Sequence, residues 1–389
     1  MEKLVYGGDG LARLDGRIVF APFVLPGERI RARAEQEKPG LVRARMLEVI
    51  EAAPDRVTAP CPVFARCGGC HYQHAPYEFQ VSAKRAILVE ELRRLGKIEA
   101  PLEIRTFAAE PFGYRNRVQL AVEETRIGYR EARSHKLWAV TECPVSSPKI
   151  NHAIAALNRM ARDNRWPKFM HALEIFTDEQ QVQINVLETD RPVARRFFDW
   201  CAAEIEGVVE GALDYQGRFR VSSNSFFQVN RLLLDQLVEA ALGDVSGDTA
   251  ADLYAGVGLL SLPMARRFRA VTAVESGAGA VRDLQFNAER SGLSNLRALQ
   301  QTAEEHLAAL TRPPDLVVVD PPRAGLGKAV VKRLAELKPR QLVIVACDPA
   351  TLARDLAGLM ASGYTIERMS LVDLFPQTYH LETVVGLKV

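Results

Sequence analysis

Four short apolar runs in the C-terminal part of the chain constrain its fold most: Ala250–Tyr254, Ala270–Glu275, Asp315–Asp320 and Gln341–Ala346. Each resembles a strand buried on both faces, and segments of helical rhythm separate them. Strands alternating with helices build βαβ units, and the crossover rules make those units a parallel, doubly wound sheet. Ligands of such sheets bind beyond the carboxyl ends of the strands. The residues just after each run are therefore where chemistry is expected.

The first run leads into Asp252-Leu253-Tyr254-Ala255-Gly256-Val257-Gly258, whose glycines let the backbone pass close to a ligand at a helix start. The second ends in Glu275, an acid suited to accept hydrogen bonds from both hydroxyls of a ribose. One helix and one strand separate Gly258 from Glu275, the spacing of a dinucleotide or S-adenosylmethionine site. A pyrophosphate fingerprint asks for a third glycine where this chain has Ser261, which tilts towards a cofactor without a pyrophosphate. The third run ends Asp320-Pro321-Pro322-Arg323, a stiff backbone that can hold one carboxylate rigidly. The fourth ends Ala346-Cys347-Asp348-Pro349. A cysteine after an apolar strand is ordinarily inert packing. Cys347, however, shares a rim with Gly256, Glu275 and Asp320, and it precedes a helix start whose dipole is expected to lower the thiol pKa. That combination describes a nucleophile. Near the C-terminus, His380-Leu381-Glu382-Thr383 puts a carboxylate at the edge of a last apolar run. Glu382 is either a solvated strand end or, if that strand runs antiparallel, an acid facing Cys347.

The remaining chain supplies two more units. At 389 residues, two to four domains are expected. With 48% apolar and 25% charged residues, the composition is that of an ordinary globular protein. No apolar run is long enough to span a bilayer and no apolar signal segment opens the chain, so a cytoplasmic, non-membrane protein is expected. A net charge of +2 excludes a uniformly basic coat. Residues 1–57 read as a small β-barrel of short strands bounded by glycine and proline turns. Strand period gathers Arg29, Arg31 and Arg33 on one face and Arg43 with Arg45 on another, either as solvated faces or as a track for a phosphate backbone. Residues 58–221 alternate strand-like and helix-like runs, an α+β domain, and 222–389 hold the doubly wound sheet. Cys61, Cys67 and Cys70 crowd within ten residues and Cys143 follows in Glu142-Cys143-Pro144. In a reducing compartment such a cluster reads as metal binding, with zinc or an iron–sulfur cluster equally open on spacing; His71 and His74 also offer a Cys₃His zinc site. Cys201 lies in a helical stretch and reads as core.

Taken together, these motifs resemble the S-adenosylmethionine-dependent RNA 5-methyluridine methyltransferases, most closely the bacterial 23S ribosomal RNA branch. The resemblance rests on Cys61-Pro62-x-Phe64-x-x-Cys67-Gly68-Gly69-Cys70, Phe227-Gln228-Val229-Asn230, Asp252-Leu253-Tyr254-x-Gly256-x-Gly258, Asp320-Pro321-Pro322-Arg323, Cys347-Asp348-Pro349 and His380-Leu381-Glu382-Thr383. It implies a Rossmann-like class I methyltransferase domain preceded by an OB-like TRAM barrel and a cluster-binding domain. It further implies Cys347 as nucleophile and Glu382 as base, with Gln228, Tyr254, Gly256, Glu275 and Asp320 at the cofactor. A [4Fe–4S] cluster on Cys61, Cys67, Cys70 and Cys143, and RNA as partner, are also implied. Asp348 stands where the family often has Asn, and Leu259 where it often has a polar residue; the added charge beside the thiol is expected to raise its pKa unless paired. The alternatives are a transfer-RNA 5-methyluridine methyltransferase and a non-catalytic RNA-binding ribosome-assembly factor. The sequence leaves the target uridine and the oligomeric state open, with a monomer favoured.

Overall fold

The apolar runs form the sheet they predict. The computed structural model describes residues 1–101, 103–132 and 134–389. Its C-terminal strands are β1 (Gly247–Leu253), β2 (Phe268–Glu275), β3 (Leu296–Gln300), β4 (Leu316–Val319), β5 (Gln341–Ala346), β6 (Thr365–Val372) and β7 (Thr383–Lys388). They lie in the order β3-β2-β1-β4-β5-β7-β6, and a short strand, Arg105–Phe107, adds to the β6 edge. β1 to β5 are parallel, whereas β7 runs antiparallel to both neighbours. The strand order reverses at β1 and β4, so the crevice for a ligand opens above their carboxyl ends. β3 gave no apolar signal because Leu296-Arg297-Ala298-Leu299-Gln300 is near the free edge and only half buried.

Register decides the geometry at the rim. Ala346 pairs with Thr383 in the antiparallel ladder of β5 and β7. The next residues outward are Cys347 and Glu382, so chain direction alone brings the thiol and the carboxylate off the sheet side by side. The condition set by the sequence, an antiparallel last strand, is met.

The N-terminal sheet holds Lys3–Leu4, Asp9–Leu14, Arg17–Pro22, Arg29–Lys38 and Leu41–Glu51, with the third and fifth strands adjacent and parallel. That is the connectivity of a partly open Greek-key barrel. Its arginine faces are not bare. Arg29 pairs with Glu51 at 2.5 Å, Arg31 with Glu48, Arg43 with Asp9 at 3.1 Å and Arg45 with Glu35 at 3.4 Å. Cross-strand carboxylates, invisible to a count along one strand, cancel much of the local charge.

The central sheet has six strands, nearly all antiparallel, and packs on the helix Pro148–Met160. Cys201 is fully buried in that core, as its helical setting implied. Two segments expected in the central domain pack instead with the C-terminal sheet. Helix Tyr77–Glu91 places Ile87 and Leu88 in the same core as Ile344 and Val385, and Arg105–Phe107 is a strand of the sheet itself. Helical rhythm shows that a face is apolar, not which sheet covers it. Among the described residues, no helix is long and apolar enough to cross a membrane.

Candidate active site

The strand ends gather an unusual concentration of acid. Asp252 at the end of β1 is buried, accepts a hydrogen bond from the Ser261 hydroxyl, and is pushed up to about 7 by burial, with Glu275 adding to the shift. Asp320, just beyond β4, is also pushed up to about 7, first by burial and then by Asp252. Glu382 is 4% exposed; burial and then Asp320 hold its carboxyl well above the usual range. Cys347 keeps part of its surface open, and its thiol is pushed up to about 12 by burial, Glu382 and Asp320, with Arg323 opposing them.

The thiol therefore departs from the lowering expected of the helix dipole and shifts in the direction expected of Asp348. Burial is the main reason, with Glu382 and Asp320 next, and the helix start does not offset them. Asp348 caps the helix Pro349–Met360, its Oδ1 accepting from the amides of Ala350 at 3.0 Å and Thr351 at 2.9 Å. Those amides carry the positive end of the helix, and a carboxylate rather than the sulfur receives them. Asp348 itself pushes the thiol further up.

On the other side of the crevice the glycine turn is bound to Glu275. Its Oε2 accepts the Gly256 amide at 3.0 Å and its Oε1 the Gly277 amide at 2.7 Å. Oε1 also accepts the Ser276 hydroxyl at 3.4 Å, which leaves Oε2 with a lone pair for a hydroxyl donor. Gly256 has φ +54, and a Cβ there would meet nothing within 4 Å, so the turn borders open space. Tyr254 also adopts a left-handed φ of 66°, a strained position for a tyrosine. Gln228 is buried in the loop after Phe227, where Asn230 donates to the Leu374 carbonyl at 3.1 Å and ties this loop to the one leading to Glu382. Ser261, which breaks the phosphate fingerprint, is used inside the protein to hold Asp252. Leu259 packs between two cores.

The segment 373–382 is clamped from below by the helix Tyr77–Glu91. Lys84 and Asp373 form a fully buried ion pair at 2.6 Å, and Lys84 also donates to the Phe375 carbonyl at 2.9 Å. Gln80 and Gln377 exchange two hydrogen bonds, both at 3.0 Å. The amides of His71 and Tyr72, directly after Cys70, donate to the Gln377 carbonyl at 2.8 and 3.0 Å. Sequence reasoning missed these residues, since a buried lysine and a buried glutamine on a helix carry no local mark. It also missed Tyr6, which reaches Cys347 from the N-terminal sheet; a glycine turn was visible there, but not its destination.

The four clustered cysteines meet elsewhere. Cys61, Cys67, Cys70 and Cys143 all line one cavity of about 580 Å³, which none of Cys347, Glu382, Glu275, Gly256 or Asp320 lines. Burial, the dominant cause, pushes the Cys67 thiol up to about 11 and the Cys70 thiol up to about 12; neighbouring thiols contribute, Cys143 acting on both. Gly69 donates its amide to the Cys67 sulfur at 3.4 Å, and Asn151 accepts the Cys143 amide at 2.9 Å. Gly68 is closely approached, a Cβ there lying 3.3 Å from Ala132; the left-handed residue in this loop is Ala65, with φ 66°. Neither His71 nor His74 lines the cavity. Among the described residues, no three His, Cys, Asp or Glu side chains are drawn together tightly enough to hold a metal ion as they stand.

Known proteins resemble the chain along its whole length. An RNA methyltransferase of Aquifex aeolicus is 32% identical, the match covering 100% of this chain and 97% of that protein. The 23S rRNA (uracil(1939)-C(5))-methyltransferase of Pseudomonas putida is 31% identical, with 99% and 92% covered. The crystal structure of the Pyrococcus abyssi tRNA (uracil-54, C5)-methyltransferase with S-adenosyl-L-homocysteine superposes with a TM-score of 0.78 at 26% identity, covering 99% of this chain and 98% of that one. Residues 132–389, well over half of the chain, match the family described as tRNA (Uracil-5-)-methyltransferase. With its sheet order, its rim of acids and thiol, and this coverage, the chain belongs to the tRNA (uracil-5-)-methyltransferase family.

Proposed function

We propose that the protein methylates carbon 5 of a uridine in 23S ribosomal RNA, with Cys347 as nucleophile and Glu382 as base. The pairing of Ala346 with Thr383, which sends thiol and carboxylate off the sheet together, carries this reading. The rim suits a cofactor bearing a positive charge: Asp252, Asp320 and Glu382 crowd acid at the strand ends, while Glu275 and the open side of Gly256 suit a nucleoside. Gln228, Tyr254, Gly256, Glu275 and Asp320 are read as the residues that hold S-adenosylmethionine, which when bound supplies the methyl group and a sulfonium cation.

Carbon 5 of uracil is too electron-poor to accept a methyl group unaided. The Cys347 sulfur, after losing its proton, bonds to carbon 6 and leaves an enolate whose carbon 5 is nucleophilic. Once carbon 5 is methylated, Glu382 removes its proton, the electron pair restores the 5,6 double bond, and the carbon 6–sulfur bond breaks to free the thiolate. The target base lies inside RNA structure and must be turned out to reach the rim.

Four thiols lining one cavity are a donor set that suits an iron–sulfur cluster or a zinc ion, and the motif resemblance favours a [4Fe–4S] cluster. Cys61, Cys67, Cys70 and Cys143 are read as its ligands. The first 57 residues are read as a TRAM-like RNA-binding unit, and the setting as cytoplasmic. Ribosomal RNA is preferred because the chain pairs an N-terminal barrel with a four-cysteine site, the combination that the resemblance links to the 23S rRNA branch. The test is transfer of labelled methyl from S-adenosylmethionine to 23S rRNA and to transfer RNA, followed by nucleoside mapping. Methyl in 23S rRNA that is lost in Cys347→Ala supports the reading; methyl in transfer RNA alone reassigns the substrate; none in either RNA leaves a non-catalytic RNA-binding protein.

A further inference from the structure

Tyr6 lies in the turn between strands Lys3–Leu4 and Asp9–Leu14 of the N-terminal sheet, yet its hydroxyl sits at the catalytic rim. It donates to the Cys347 carbonyl at 3.4 Å, with the Asp348 carboxylate close enough to raise the Tyr6 pKa. Its ring meets the edge of Tyr379 at 5.5 Å, and Tyr379 in turn packs on His71 at 4.6 Å and His380 at 4.3 Å. His380 lies two residues before Glu382 and 3.4 Å from Arg323. Tyr6 thus touches the turn after β5 and, through Tyr379, the approach to β7.

The turn that presents it is rigid. Gly7 and Gly8 have φ of +103 and +92, a range that L side chains rarely adopt. The Val5 amide donates to the Asp9 carbonyl at 2.9 Å and the Gly8 amide to the Val5 carbonyl at 3.2 Å. A Cβ on Gly8 would lie 3.1 Å from the Tyr379 ring and 3.2 Å from His71, so the turn is seated against these rings without a gap. A surface domain that only gripped RNA would have no need of so close a seat beside the thiol.

We propose that Tyr6 is a positioning residue of the methyl-transfer site, holding the Cys347–Asp348 turn so that the sulfur stands in line with its target carbon. The inference rests on Cys347 being the nucleophile. The hydroxyl holds the carbonyl of the cysteine itself, beside the Asp348 carboxylate that caps the following helix. Attack on carbon 6 demands a near-attack placement of the sulfur, and misplacement by about 1 Å costs on the order of 100-fold in rate.

The experiment compares Tyr6→Phe, Tyr6→Ala and wild type in the full-length protein, measuring kcat and KM for methyl transfer to RNA, the thermal midpoint, and the rate of Cys347 alkylation by iodoacetamide read by peptide mass spectrometry. Tyr6→Phe should lower kcat roughly 10-fold, leave KM for RNA within about 2-fold, change the alkylation rate, and melt with wild type. Tyr6→Ala should lose more kcat than Tyr6→Phe. In an Asp348→Ala background the Tyr6→Phe change should cost markedly less, because the turn that Tyr6 holds has already lost the cap that orders it; this comparison holds even where a variant melts early. Wild-type kcat in Tyr6→Phe, a loss confined to KM, or full additivity with Asp348→Ala would each overturn the proposal. Cys347→Ala separates the two levels: if it remains active, the nucleophile reading fails, whereas an inactive Cys347→Ala beside a fully active Tyr6→Phe removes Tyr6 alone.

Discussion

At the scale of single residues, the rim sets one ionisation against another. The Cys347 thiol and the carboxyls of Asp320 and Glu382 lie close together at the strand ends, and Asp320 and Glu382 make negative charge on the thiol costlier. In Glu382→Gln that charge is gone, so the midpoint for Cys347 alkylation should fall from its position near 12. The same variant should accumulate a covalent protein–RNA adduct, visible as a shifted band on a denaturing gel, because the carbon-5 proton has no acceptor. Normal turnover without adduct would place the base elsewhere. Asp320 has a folded pKa of about 7, above its unfolded value near 4, so the folded state binds the extra proton between them. Its contribution is fully favourable below about pH 4 and is lost as pH rises through about 7. Asp320→Asn should therefore melt a few degrees above wild type at pH 8, with the gap closing towards pH 4, while cofactor binding measured by calorimetry disappears.

At the scale of elements, the decisive contact is between helix Tyr77–Glu91 and the segment 373–382. Its centre is a salt bridge with both side chains fully buried, a geometry in which losing one partner leaves an uncompensated charge. Lys84→Met should cost about 3–5 kcal/mol in denaturant unfolding. Replacing both partners, Lys84→Met with Asp373→Leu, should recover much of that stability. Methyl transfer should stay low in the double variant, because Lys84 also held the Phe375 carbonyl on the path to Glu382. Recovery of both stability and activity would reduce the pair to a structural role. The helix itself was legible from its apolar rhythm. Its task was not, because Gln80 and Lys84 are polar residues of ordinary helix composition whose partners lie about 290 residues further along the chain.

At the scale of the molecule, one short stretch joins two centres. Cys70 lines the cysteine cavity, and the next two amides hold Gln377, which stands five residues before Glu382. Ligand loss should therefore be felt at the rim as well as at the cavity. Cys143→Ser purified without oxygen should lose bound iron and its visible absorbance, and should melt earlier than wild type, since metal binding at such a site is part of the folding free energy. Cys201→Ala, which removes a sulfur from the central core, should keep its full iron content. An iron-free wild type carrying stoichiometric zinc would replace the cluster with a zinc site.

The sequence by itself determined the doubly wound sheet, the positions of Gly256, Glu275, Asp320 and Cys347 on its rim, and the grouping of Cys61, Cys67 and Cys70. These are local properties, because burial on both faces marks a strand and whatever follows the strand lies at its carboxyl end. Only the tertiary structure decided the direction of thiol ionisation, the pairing of the barrel's arginines, the clamp on the segment before Glu382 and the arrival of Tyr6. Each of those depends on charges or hydrogen-bond partners brought together across long separations in the chain, and a pKa or a contact is set by what surrounds a group in space rather than by what precedes it in sequence.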